Sequence, residues 1–348
     1  MTINKKFLQL TGAFLILVFH LWIRLSSTMM ESFFVHTAYI GVDLFFLVSI
    51  VSLASKEISY KEFIHNRIMT IYLPFVFFVL MNAFVQGKYT NIIRQIFFIE
   101  FFQKGGGAFL WFLPAMMLLY LVFPLFHQWN NPYKTCIAFG MYILTVWICT
   151  VIKYDQIMIL LHRIPLMLVT YELCKKQIPN QKTVGICLFI VGILIQYFCT
   201  FVNHFYLKDM FYIYAIPCVI GSAMMIPVFP LAKGWNAIAK ATLEIYAIQM
   251  IFGFRIAGFV YKTVNHPFLS TVITFSIIIS IAVGCSEIKK KLLTVVQNKT
   301  TVFLKHLFCF VKNSNGTMQK ERLEKIKYVR NRNKGTRIRI ARSKWRNT

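Results

Sequence analysis

The chain has 348 residues, of which 57% are hydrophobic and only 14% are charged, and its net charge is +26. Because soluble globular proteins carry about 25% charged residues, this composition excludes a soluble protein and predicts an all-α membrane protein. The charge is uneven, since residues 286–348 hold 18 lysines and arginines against three glutamates. We therefore predict a multi-pass membrane domain over 1–285 and a basic, disordered cytoplasmic tail over 286–348.

About ten apolar segments are long enough to cross roughly 30 Å of hydrocarbon as helices. The predicted spans are 7–25, 33–55, 68–86, 108–127, 134–152, 156–173, 183–203, 210–231, 237–260 and 267–285. A further apolar piece, residues 92–102, is too short and too charged to cross. It is predicted to lie at the membrane interface or to fold back into the protein.

Lysine and arginine residues in the short connections predict the orientation of the bundle. With the N-terminus inside, eleven of these residues lie on the inner side and seven on the outer side, so both termini are predicted to be cytoplasmic. The basic tail is then either simply disordered or bound to anionic lipid headgroups. Nucleic acid is not predicted as a partner, because the tail has no binding motif. The eight cysteines form no CxxC pair, so no metal site is predicted.

The first span carries an ionisable side chain, His20, at a depth where such a group is costly. If the first two spans form an antiparallel hairpin, Asp43 lies at a similar depth. A carboxylate beside an imidazole raises its basicity and fixes its tautomer, which suits a general base. The alternative is a polar contact that only joins two helices. Arg24, four residues after His20, either belongs to the site or extends to the outer interface.

Other polar residues lie at membrane depth in later spans. They include His162 and Arg163 in the sixth span, and Glu244 and Gln249 in the ninth. Together with His20 these groups predict a polar cavity inside the bundle. From composition and spacing alone, such a cavity suits a transporter as readily as an enzyme.

Six stretches, in order along the chain, carry a resemblance to a known family. They are LILVFH (15–20), GVDLFFLVSI (41–50), FIHNRIMTIYLPF (63–75), LWFLPAMMLLYLVFPL (110–125), RIPLMLVTYELCKK (163–176) and AKATLEIYAIQMIF (239–252). Together they resemble the membrane-bound acyltransferase 3 family, whose members acylate bacterial glycans. The resemblance covers about 285 residues.

The resemblance implies a multi-pass enzyme of the bacterial inner membrane. Such an enzyme moves an acyl group, commonly acetyl, from cytoplasmic acyl-CoA to a sugar hydroxyl of an envelope or exported polysaccharide. It implies acyl-CoA as the donor substrate, a glycan or lipid-linked glycan as the acceptor, and no bound cofactor. Carried over by motif, His20 is the catalytic base, and Asp43 belongs to the Phe-Phe signature and orients it.

The resemblance also implies residues that contact the substrates. Arg67 and Arg163 match motif cations that serve the CoA phosphates or the developing charge, and Trp111 falls in the aromatic motif. Gln249 stands where the family has a histidine. Gln9 stands where the family has an arginine, which leaves a non-catalytic polysaccharide exporter, or an export-associated protein, as the alternative function. A third interpretation, a sensor, has no soluble sensor domain to support it.

Overall fold

A computed structural model describes residues 1–22, 33–34, 37–54, 59–201 and 215–291, and in these ranges every regular element is helical. We number the helices α1 to α14 in chain order. They are α1 (Lys5–Leu17), α2 (Gly41–Ala54), α3 (Tyr60–Gln86), α4 (Ile92–Ile96), α5 (Ile99–Lys104), α6 (Phe112–Gln128), α7 (Lys134–Val151), α8 (Met158–Leu161), α9 (Ile164–Cys174), α10 (Gln181–Phe201), α11 (Ile216–Met225), α12 (Lys233–Lys240), α13 (Thr242–Val264) and α14 (Pro267–Lys291).

Five of the described helices are long and apolar enough to cross a membrane: α3, α7, α10, α13 and α14. Three shorter apolar helices, α2, α6 and α11, accompany them. The chain is therefore an all-helical membrane protein, as predicted from its composition. The number of ten spans and the cytoplasmic position of both termini stay predictions.

Several predicted spans are shorter or interrupted for local reasons. The predicted span 156–173 divides into α8 and α9 at His162 and Arg163, because Pro165 lies in the first turn of α9 and cannot donate a backbone hydrogen bond. The apolar piece 92–102 forms two short helices, α4 and α5. They meet at Phe98, whose φ of 62° ends the helical path.

Three of the described helices contain a π-helical turn. One of these turns, Ile68–Tyr72 in α3, directly follows Arg67, and the other two each carry a polar residue singled out from the sequence. Residues Val18–Trp22 continue α1 in this form and include His20. Residues Gln249–Gly253 form the other of these two turns, within α13. A π-helical turn rotates the side chains that follow it relative to an ideal helix, and such turns occur often at functional sites.

Helices α1 and α2 pack closely as an antiparallel hairpin. The contact depends on two glycines, because a methyl group at Gly41 would lie 2.5 Å from the carbonyl oxygen of Gly12. Further along, the Phe19 and Tyr39 rings meet with their centroids 4.7 Å apart. From the first contact to the second, the residue number rises from 12 to 19 along α1 and falls from 41 to 39 at the start of α2. The two segments therefore run in opposite directions. These contacts fix the hairpin register.

The main hydrophobic core joins α1, α2, α6, α9 and α13. Contacts divide the chain into two units, Met1–Ser286 and Glu287–Thr348. The predicted disordered tail concerns mainly residues 292–348, which lie outside the described residues. Arg24 lies outside them as well.

Candidate functional site

His20 and Gln249 form the polar contact between α1 and α13. The Gln249 Nε2 and His20 Nδ1 atoms lie 3.0 Å apart, and the two π-helical turns bring these side chains together. Gln249 is only 2% exposed, whereas His20 is half-buried. The Gln249 Oε1 atom is buried and has no hydrogen-bond partner among the described residues. The imidazole is therefore held through one nitrogen by a buried carboxamide.

Asp43 forms a different pair, with Arg163 at the start of α9. The Asp43 Oδ1 and Arg163 Nε atoms lie 2.9 Å apart, and the two side chains are 2% and 0% exposed. Arg163 also donates to the carbonyl oxygen of Ile159, and its guanidinium lies 5.0 Å from the centre of the Trp111 ring system. The opposite charges compensate each other inside the core, where an unpaired charge is very costly.

The hairpin register explains why the structure pairs His20 and Asp43 with other residues rather than with each other. Gly41 packs opposite Gly12, and His20 is eight residues further along α1, or about 12 Å at 1.5 Å per residue. Asp43 lies two residues after Gly41, in the direction along α2 that leads away from His20. The expectation of similar depth was wrong because it aligned the inner ends of the two spans, residues 7 and 55, whereas the Gly12–Gly41 contact lies five residues from the first of these ends and fourteen from the second.

An aromatic layer, formed by Phe19, Tyr39 and Trp111, connects the two polar pairs. Phe19 contacts the His20 ring on one side and the Tyr39 ring on the other. Tyr39 stacks on Trp111, with 8° between the ring planes. Arg163 lies over both Tyr39 and Trp111. Trp111 therefore contacts the ion pair directly, and it connects to His20 through the other two rings.

Arg67 lies apart from both pairs, at the π-helical turn within α3. Its guanidinium is 4.7 Å from the centre of the Tyr120 ring and 4.8 Å from that of Phe63. The Tyr120 hydroxyl donates to Ser49 Oγ at 2.9 Å. The Arg67 side chain is half-buried, and among the described residues its buried Nε atom has no hydrogen-bond partner. The two aromatic rings hold this cation in place through cation–π contacts.

The other polar residues singled out from the sequence lie elsewhere. His162 is buried, and its Nδ1 is 3.2 Å from the Tyr142 hydroxyl. Glu244 is buried in α13, and Arg255 donates to the carbonyl oxygen of Val85 at 3.5 Å. Sequence reasoning did not find Tyr39 or Tyr120, because a tyrosine in an apolar span gives no signal that separates a site residue from a core residue.

The two polar pairs differ in what they can do chemically. Asp43 and Arg163 are fully buried and neutralise each other, so their geometry suits a structural contact beneath the aromatic layer. Among the described residues His20 has no acidic partner, and its side chain is not fully buried. A half-buried imidazole held at one nitrogen can move a proton at the other.

Comparison with known proteins adds one match. A family model described as an acyltransferase domain matches residues 6–286, a range that contains both polar pairs, the aromatic layer and Arg67. No curated protein and no solved structure matches the chain.

Proposed function

Because the chain belongs to the acyltransferase 3 family, we propose that it is an acyl-CoA-dependent O-acyltransferase, most simply an O-acetyltransferase. Its acceptor would be a sugar hydroxyl of a cell-envelope or exported polysaccharide, or of a lipid-linked precursor. The observation that carries this proposal is the half-buried His20, held by Gln249 inside the matched domain. A transfer reaction of this kind needs one general base at the acceptor hydroxyl.

In the proposed reaction, the Nε2 atom of His20 takes the proton from the acceptor hydroxyl as its oxygen attacks the thioester carbonyl. The tetrahedral intermediate then releases the CoA sulfur as the carbon–sulfur bond breaks, and His20 returns the proton to that sulfur. This requires the proton of the neutral ring to lie on Nδ1. Rotating the Gln249 carboxamide by 180° presents Oε1 as the acceptor of that proton, and it also gives the unpartnered Oε1 a partner.

We propose that Arg67 contacts the phosphates of acyl-CoA. A guanidinium can donate two parallel hydrogen bonds to a phosphate, and Arg67 keeps a buried Nε without a partner among the described residues. Trp111 would shape the acyl site through the aromatic layer. Asp43 and Arg163 would then support that layer, instead of orienting the base or stabilising the developing charge.

The topology proposed with this function is ten spans, with both termini on the cytoplasmic side of a bacterial inner membrane. This arrangement places Arg67, near the start of α3, on the side where acyl-CoA is found. The basic tail would contact anionic lipid headgroups. No nucleic-acid partner is proposed.

Acyl-CoA labelled in its acyl group, added to the purified protein in lipid vesicles, tests the proposal. We expect thioester loss with wild type, faster when envelope glycan is present, and no loss with His20→Ala. Gln249→Leu should slow the reaction, because Nδ1 loses its partner. His266→Asn is the matched control, since His266 is exposed and only its Nδ1 contact to the Leu269 amide has to be replaced.

Full activity of His20→Ala would refute the assignment of the base. If wild type moves glycan across the vesicle membrane and forms no ester, the exporter is favoured instead of the proposed reaction.

A further inference from the structure

A cavity of about 290 Å³ lies between α13 and α14, beside the π-helical turn of α1. Its lining includes three hydroxyl side chains of α14. Much of the remaining lining is formed by Leu21, Ala257 and Tyr261. The three hydroxyl residues are Ser270, Thr271 and Thr274. The cavity is thus apolar on one wall and rich in hydroxyl groups on the other.

Two of these hydroxyls are unusual for a membrane-spanning helix. Serine and threonine in such helices normally donate to the carbonyl oxygen four residues earlier. Thr271, Ser276 and Ser280 do so in α14, at 2.9, 2.8 and 2.7 Å respectively. Ser270 Oγ and Thr274 Oγ1 have no hydrogen-bond partner among the described residues, although these side chains are only 2% and 1% exposed. A buried hydroxyl without a partner is costly, and a ligand that hydrogen-bonds both would remove this cost.

The cavity adjoins the π-helical turn that carries the proposed base. Leu21 lines it and follows His20 in the chain. A methyl group at Gly253 would lie 3.3 Å from Leu21 and 3.5 Å from the Cβ atom of Gln249. Along α13, Ala257 comes eight residues after Gln249, or about 12 Å at 1.5 Å per residue. The cavity therefore begins within about two helical turns of the His20–Gln249 contact.

We propose that this cavity is the acceptor subsite. It binds a sugar ring of the acceptor, next to the hydroxyl group that is acylated. A sugar suits both walls, because its hydroxyl groups donate and accept hydrogen bonds while its C–H face packs on Tyr261 and Ala257. The volume suits a single sugar ring. This inference rests on the proposed function, and under the proposed topology the cavity lies in the outer half of the membrane, towards an exported glycan.

Methyl glycosides of glucose, galactose and N-acetylglucosamine serve as soluble probes of this subsite. Saturation-transfer NMR with the purified protein measures their binding without any acyl transfer. We expect a signal with wild type and a clear loss with the double variant Ser270→Ala/Thr274→Val, which keeps the side-chain shapes. Ser276→Ala on the same helix is the matched control, because Ser276 is exposed and bonded within its own helix.

Kinetics then separate this inference from the proposed function. The double variant should raise the KM for the glycan acceptor by about tenfold or more, as expected for two lost hydrogen bonds. Its acceptor-independent hydrolysis of acyl-CoA should stay at the wild-type rate. If wild type consumes no acyl-CoA even when glycan is present, the proposed function is refuted, and the NMR measurement still tests the subsite.

Equal glycoside binding by wild type and the double variant would overturn the subsite. So would a double variant that loses acyl-CoA hydrolysis together with acceptor binding, since the hydroxyls would then serve the fold or the donor. Thr271→Val is a second variant that lines the same cavity but whose hydroxyl is already bonded, so it should change acceptor binding less than the double variant does.

Discussion

Replacing Asp43 with asparagine tests the buried ion pair most directly. The substitution keeps the shape of the side chain and removes its charge, and it leaves the Arg163 guanidinium inside the core. Breaking a buried pair by removing one partner costs about 3–5 kcal/mol. The side chains of this pair are 2% and 0% exposed, so solvent cannot replace the lost charge.

The contacts that Arg163 keeps in the Asp43→Asn variant determine where the loss of stability falls within the range of about 3–5 kcal/mol. The guanidinium keeps its contacts with Trp111, Tyr39 and Phe46 and with the carbonyl oxygen of Ile159. Buried cation–π contacts can contribute about 2 kcal/mol. We therefore expect a loss near 3 kcal/mol in the free energy of unfolding. Neutralising both residues, as Asp43→Asn/Arg163→Met, should recover part of this loss.

Thermal unfolding of the purified protein in detergent, together with its abundance in the membrane, measures the effect. The matched control is Glu172→Gln, because Glu172 pairs with Lys175 at 2.8 Å while both side chains are more than a third exposed. Exposed pairs contribute about 1 kcal/mol or less. An Asp43→Asn variant as stable as Glu172→Gln would refute the argument. Activity per folded molecule should be retained, and its loss at wild-type stability would show that Asp43 serves the reaction rather than the fold.

Two further predictions concern the hairpin and the donor site. Gly41→Ala should lower membrane abundance, and it should lower the free energy of unfolding by about 1–3 kcal/mol or more, because the new methyl group meets the backbone of α1. Gly140→Ala, where the methyl group meets nothing within 4 Å, should leave both quantities unchanged. Equal behaviour of the two variants would contradict the close approach. Arg67→Ala should raise the KM for acyl-CoA by about tenfold, as expected for a lost charged hydrogen bond to phosphate. The KM for the glycan should not change. An unchanged KM for acyl-CoA would exclude a phosphate contact.

The sequence by itself determined the class of the protein and most of its polar residues. Composition and the length of the apolar segments require a helical membrane protein, because an unsatisfied backbone is too costly in hydrocarbon. The cost of ionisable groups at membrane depth singled out His20, Arg163 and Glu244, and the six ordered stretches indicated the acyltransferase family. These signals are local, so they can be identified in the sequence without any knowledge of how the helices pack.

Only the tertiary structure decided which of these groups meet. The Gly12–Gly41 contact sets the hairpin register and carries Asp43 to Arg163, and the π-helical turns direct His20 and Gln249 towards each other. Hydrophobic periodicity shows which residues lie at membrane depth. It contains neither the register between helices nor the rotation of each helix about its axis, and side-chain partners depend on both.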